Sequence, residues 1–271
     1  MSEPPLGVCT RAGVSAGAAP VIEAFATQRA RLVRLCRSFS DDEWRAQSRC
    51  ASWTVHEVVR HLVDPTDRIA RIARGEPTGD TEFDPRTTPG RWLEETAGLT
   101  TAETADALVA STESELAAFD DLALADSDRA LPGPYGPIHW TTFALHVFWD
   151  SWLHERDVAL PLGCAQDATA NENTLAALYG ITLAGLPLGT AGATATETFV
   201  LDGVGGGGFR LDAATETCTT TTADTGDDAL RGELAPVVDS LSGRDAELAD
   251  VLDGPPERLA RLGYMRAFMR S

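Results

Sequence analysis

The sequence contains no lysine; all 22 of its Lys-plus-Arg residues are arginines. That absence excludes a Walker A phosphate loop, a Schiff-base enzyme and a lysine general base, each of which depends on an ε-amine. Beside abundant arginine, alanine and glycine, it also fits the codon bias of a high-GC genome. An excess of positive charge is missing too. The formal net charge is −19, so the clustered cations that bind a nucleic acid or an anionic membrane are not there. The five scattered cysteines, Cys9, Cys36, Cys50, Cys164 and Cys218, form no Cys-x-x-Cys, which removes zinc-ribbon and dithiol redox readings. An odd set of thiols without a secretory signal points to free cysteines in a reducing, cytoplasmic compartment. No apolar run is long enough to span a bilayer. The partner left by these exclusions is a small molecule, and a monomer is the default assembly.

Residues 1–19, rich in Gly, Ala and Pro, read as a flexible lead-in. Helical periodicity then runs from Pro20 to Phe39, with Val21, Phe25, Leu32 and Leu35 inward and Arg29, Arg31 and Arg34 outward. Ser40-Asp41-Asp42 opens a short helix. Thr54 followed by Glu57 makes a capping box for a second long helix, with Val55, Val58, Val59, Leu62, Ile69 and Ile72 on its apolar face and a kink at Pro65. After a loop at Asp80–Pro89, further helices are expected over Thr101–Phe119, Trp140–Leu160 and Asn171–Ala184, with a second loop at Asp126–Pro137. A Gly-rich linker, Gly185–Gly192, precedes a change of pattern. Thr196–Leu201, Gly208–Asp212 and Glu216–Thr222 read as a strand meander, and Asp227–Leu241 and Glu257–Met269 as helices. The expected organisation is a helical bundle over residues 20–187 and a small α+β domain over 194–271.

The densest chemistry lies in His146-Val-Phe-Trp-Asp150-Ser-Trp-Leu-His154-Glu-Arg-Asp157. On a helix, positions 146, 150, 154 and 157 fall within roughly 80° of one another. The neighbours are aliphatic or aromatic, so this ionisable stripe sits on a buried helix and must be paired, hydrogen-bonded or metal-bound. Asp150 and His154, one turn apart, present two ligands for a divalent ion. His61, on the flank of the second long helix, is the candidate third ligand, and three ligands with an open position define a catalytic centre. Asp157 suits a partner that orients an imidazole or a substrate, and His146 a fourth ligand or a substrate contact. The competing reading is a structural network in which Asp150 accepts hydrogen bonds from both histidines. His56 reads as a surface residue. Trp140, Trp149 and Trp152 read as core, or one of them as a pocket wall.

Ala51-Ser-Trp53-Thr54-Val55-His56-Glu57-Val58-Val59-Arg60-His61-Leu62 resembles the Trp-Thr-Val-x-x-Val-x-x-His-Leu signature of the DinB-like superfamily. His154-Glu155-Arg156-Asp157-Val158 with Leu162-Gly163 resembles the fourth-helix signature of its mycothiol-dependent maleylpyruvate isomerase branch. The resemblance implies a mainly α fold, an up-down four-helix bundle followed by a small α+β domain. Leu241-Ser242-Gly243-Arg244 extends the likeness more weakly into that domain. It further implies a divalent metal, usually Zn²⁺, held by His61, an acidic residue and His154, and mycothiol as co-substrate. The branch commonly has Glu where this chain has Asp150. The function implied is an isomerase or thiol S-transferase that adds a metal-activated thiolate to an electrophilic small molecule. Arg91 is the residue expected to pair a substrate carboxylate. The rival functions are a thiol-independent metal-dependent isomerase, lyase or hydrolase of secondary metabolism, and a non-catalytic ligand-binding or stress protein.

Overall fold

The structure, a computed structural model, describes residues 7–63, 67–78, 88–133, 136–164, 167–190, 195–222, 228–244 and 246–270. In chain order the first elements are β1 (Val8–Thr10), β2 (Gly13–Val14), α1 (Ala18–Ser38), α2 (Asp41–Arg45), α3 (Val55–Leu62), α4 (Arg68–Arg74), α5 (Thr88–Glu95) and α6 (Thr101–Leu124). They are followed by β3 (Ala130–Gly133), β4 (Gly136–His139), α7 (Trp140–Ala159) and α8 (Ala170–Thr190). The chain closes with β5 (Thr196–Asp202), β6 (Gly207–Asp212), β7 (Thr217–Thr221), β8 (Leu230–Glu233), α9 (Leu234–Leu241), α10 (Leu248–Val251), β9 (Leu252–Asp253) and α11 (Pro256–Arg270). The mainly α class and the pairing of a helical bundle with a sheet-containing α+β part are as expected.

The boundaries differ from the expectation of two consecutive domains. One compact unit holds residues 22–131 and 150–167; the other holds 1–21, 132–149 and 168–271. Helix α7 contributes its first half to one and its second half to the other.

The first unit is the bundle. Three of its helices start with reciprocal capping boxes: Ser40 with Glu43, Thr54 with Glu57, and Thr100 with Glu103. Each satisfies two N-terminal N–H groups that a helix otherwise leaves unpaired. Leu32, Trp44, Val58, Val59, Leu108 and Val158 build a continuous buried core from α1, α2, α3, α6 and α7. The second long helix is broken rather than kinked: α3 stops at Leu62, Val63 turns extended at ψ 118°, and α4 resumes after Asp67. Pro65 itself lies outside the described residues, as does most of the loop expected at Asp80–Pro89.

Two arginines expected on the outside of α1 are drawn inward by acids on other helices. Arg29 is 3% exposed, with its guanidinium 3.9 Å from buried Glu115 and 5.1 Å over the Phe25 ring. Arg31 makes a two-pronged pair with Glu155, at 2.7 and 2.8 Å. Periodicity alone reads an arginine as solvent-facing, because its buried partner lies far away in sequence. His56 is likewise half-buried and bonded through Nε2 to Thr104 Oγ1 at 2.9 Å, not a free surface residue.

The second unit is built on a seven-stranded sheet of order β2-β1-β7-β6-β5-β8-β9. The expected meander is present as antiparallel β5–β6–β7. The lead-in is not flexible throughout: Cys9 pairs with Cys218 and with Val14, placing β1 and β2 at the sheet's edge. Strands of two and three residues are too short to show a period of two in sequence. Similarly, Asp227–Leu241 begins with β8, parallel to β5, before turning into α9, and the loop at Asp126–Pro137 contains β3 and β4. Gly185 is not a linker residue. It lies inside α8, and a Cβ there would sit 2.5 Å from Leu211 Cδ1 on β6. The glycine lets helix and sheet approach closely.

A candidate metal centre in the bundle

The end of α3 and the second half of α7 bring His61, Asp150 and His154 together, all three in the bundle unit. His61 Nε2 is 3.9 Å from Asp150 Oδ2, and His154 Nε2 is 3.6 Å from Asp150 Oδ1. The two imidazoles meet edge to face, with centroids 4.8 Å apart. One donor atom from each residue lies within 4.8 Å of the others. The separations 3.6 and 3.9 Å are too long for hydrogen bonds. They approach the spacing of about 3.4 Å between ligand atoms around a tetrahedral ion with bonds near 2.1 Å. The donor set of two imidazoles and a carboxylate is zinc-like, so the residues fit a divalent metal. His154 is buried and His61 nearly so, while the Asp150 side chain keeps 34% of its surface exposed and leaves the centre an open side.

The opposite edge of His154 is closed. Its Nδ1 is 2.9 Å from Asp157 Oδ2, and the Asp157 carboxylate is fully buried. Cys50 Sγ donates to the same oxygen at 3.2 Å, and Arg49 Nε lies 3.2 Å from the other one. With Nδ1–H held by Asp157, the imidazole directs Nε2 at Asp150 and His61, the arrangement a metal-ligating histidine requires. Burial pushes the His154 pKa down, but the charge of Asp150 and the hydrogen bond to Asp157 outweigh it and lift it to about 10. In the metal-free protein His154 therefore carries a proton at neutral pH, and a metal at Nε2 must displace it.

Arg49, Cys50 and Trp53 come from the cross-braced turn between α2 and α3. Ser48 Oγ donates to the Trp53 carbonyl at 2.6 Å, and Trp53 N–H donates to the Cys50 carbonyl at 2.9 Å. Trp53 stands over both imidazoles, 5.0 Å from His61 and 6.2 Å from His154, and Trp92 on α5 lies 6.5 Å from His61. Trp140, Trp149 and Trp152 are all buried core, the first of the two readings their sequence context suggests. The indoles at the centre are Trp53 and Trp92; the first stands within the motif that carries His61, and nothing in sequence marks the second. Arg49 and Cys50 were also missed, being 104 or more residues before their partners.

Asp157 is hydrogen-bonded to the imidazole of His154. His146 falls in the other unit, where its Nδ1 meets the Tyr179 hydroxyl at 3.0 Å and its ring stacks on Trp149. Arg91 is exposed on α5, one residue before Trp92.

Comparison with known proteins identifies the family. Residues 25–159 match the mycothiol maleylpyruvate isomerase N-terminal domain. A crystal structure of a mycothiol-dependent maleylpyruvate isomerase is similar to the chain at 13% identity, with a TM-score of 0.59 over 87% of this chain and 92% of that one. A histidine-to-alanine mutant of a mycothiol-dependent maleylpyruvate isomerase gives 14% identity and a TM-score of 0.57 with the same coverage. At these identities the likeness establishes the fold. No curated protein matches the chain. Through residues 25–159, which carry all three candidate ligands, the chain belongs to the mycothiol maleylpyruvate isomerase family.

Proposed function

We propose that the protein is a mycothiol-dependent isomerase or thiol S-transferase whose divalent metal, zinc by its donor set, is held by His61, Asp150 and His154. The observation that carries this reading is the convergence of two Nε2 atoms and a carboxylate at 3.6 and 3.9 Å, with His154 locked from behind by Asp157. A divalent cation there supplies Lewis acidity, lowering the pKa of a thiol or water and polarising a substrate carbonyl. Asp157 keeps the Nδ1 proton of His154 in place. Trp53 and Trp92 shield the imidazole faces from water. Arg91, exposed beside Trp92, offers a guanidinium to a substrate carboxylate. The thiol adds to an electrophilic carbon; its later elimination gives an isomerised product, and its retention gives S-transfer.

Turnover of the metal-loaded protein on maleylpyruvate and on a simple electrophile, with and without mycothiol, tests the reading. Rates that rise with added thiol are expected, and thiol-independent turnover would favour a metal-dependent lyase or hydrolase instead. One observation favours a non-catalytic alternative: a charged His154 between Asp150 and Asp157 is electrostatically satisfied without an ion. Elemental analysis showing less than about half a metal per chain, with stability indifferent to chelator, would establish that alternative.

A further inference from the structure

His154 belongs to two groups of candidate ligands. Its Nε2 edge faces His61 and Asp150; its Nδ1 edge faces Asp157 and Cys50. The second group has a thiol, a carboxylate and an imidazole whose donor atoms also lie within 4.8 Å of one another. By donor softness it is the more attractive of the two to zinc or cobalt. Chemistry of the donors alone therefore does not say which edge of His154 takes the ion.

Arg49 decides it. Its side chain is 6% exposed, and Nε sits 3.2 Å from Asp157 Oδ1, so a permanent cation already occupies the place beside the carboxylate. The Arg49 backbone N–H also donates to the Asp157 carbonyl at 3.0 Å, fixing the turn and the helix to each other at this point. A divalent ion between Cys50 and Asp157 would lie against this buried guanidinium and be repelled by it. Asp150 also feels a buried guanidinium, that of Arg29, but its own side chain is one-third exposed, so water screens that charge and leaves a cation room to approach.

We propose that Arg49 is a positioning residue: acting through Asp157, it closes the Nδ1 edge of His154 to cations and so assigns the imidazole to the His61–Asp150 side. The inference rests on the metal reading above and names what selects that group of ligands over its neighbour.

Cobalt(II) titration of the full chain tests it, with ligand-field bands in the visible reporting the ion and sulfur-to-cobalt charge transfer in the near ultraviolet reporting Cys50. Affinity is read by competition with a chelating dye. The unaltered protein should show ligand-field bands and no charge transfer. Arg49→Gln should bind about tenfold or more weakly at the histidine group and acquire charge transfer, which a second change, Cys50→Ser, removes. Arg49→Lys keeps the charge and should retain the original spectrum, a rescue that a merely space-filling role for Arg49 would not give. Original affinity and spectrum in Arg49→Gln would overturn the inference, as would charge transfer in the unaltered protein. Absence of any cobalt band in the unaltered protein would overturn the metal reading itself, and the inference with it. Should Arg49→Gln fail to fold by circular dichroism, Cys50→Ser alone decides: its affinity and spectrum stay unchanged if Arg49 excludes the thiol from coordination, and a change in either overturns the inference.

Discussion

Helix α7 carries two histidines two turns apart, and the structure uses them differently. His146 stacks on Trp149 and shares its Nδ1 with the hydroxyl of buried Tyr179. His154 has Asp157 behind Nδ1 and two further candidate ligand atoms before Nε2. Among the described residues, neither group of candidate ligands includes His146. Same residue type and same helix, eight residues apart, thus yield one packing histidine and one candidate ligand. The difference comes from what the other elements bring: α3 and the α2–α3 turn converge on His154 with an imidazole, a thiol and a guanidinium.

The sharpest way to break that contrast is to remove each imidazole in turn. His154→Ala is expected to weaken metal binding more than about 100-fold, whereas His146→Ala leaves it within about threefold; equal losses in a dye-competition assay would erase the distinction. Metal loading should stabilise the unaltered protein by about 2.7 kcal/mol at a free concentration 100 times Kd, reversed by chelator in thermal melts. The same gain in His154→Ala would place the ion elsewhere. Next in size, Asp157→Asn should lower affinity by about 10- to 100-fold, because a neutral amide anchors the Nδ1 proton more weakly than a carboxylate does; isothermal titration with zinc that finds no loss would demote Asp157 to packing.

The smallest effect concerns the helix that presents His61. Thr54→Ala removes the side-chain cap of α3 and should cost about 1 kcal/mol in chemical denaturation with little change in zinc affinity. The Glu57 carboxyl is held below its ordinary value of 4.5, first by the Thr54 backbone N–H, against burial, then by the Thr54 hydroxyl and the nearby Arg60. A depressed carboxylate contributes stability above that ordinary value and loses it as pH falls through the folded one. The Thr54→Ala deficit should therefore shrink as pH drops below about 4.5; a deficit that grows on acidification would refute the capping account.

Much of this was legible in sequence for local reasons. Thr54 and Glu57 announced the start of α3, and the Asp150–His154 interval announced two candidate ligands on one face, because helix geometry turns short spacings into positions. Long-range placement left no such trace. Arg29 and Arg31 read as solvent-facing until Glu115 and Glu155 arrive from other helices. Gly185 read as part of a linker because only Leu211, on a strand still to come, shows that a close approach requires it. Arg49 and Cys50 lie in a turn whose importance depends wholly on Asp157 packing behind it.

The interruption between α3 and α4 has an electrostatic consequence. His61 occupies the last turn of α3, where the unpaired carbonyls concentrate the negative pole of the helix. Arg29 Nη1 approaches one of them, the Leu62 carbonyl, at 3.4 Å, so that pole already attracts a cation. The helix expected from the sequence, kinked at Pro65 but running on to Ile72, would carry its negative pole two turns or more beyond Leu62. Ending at Leu62, α3 instead brings to His61 a field that favours positive charge by roughly 0.3–1 kcal/mol, so the break would add to the affinity of the proposed metal without contributing a ligand.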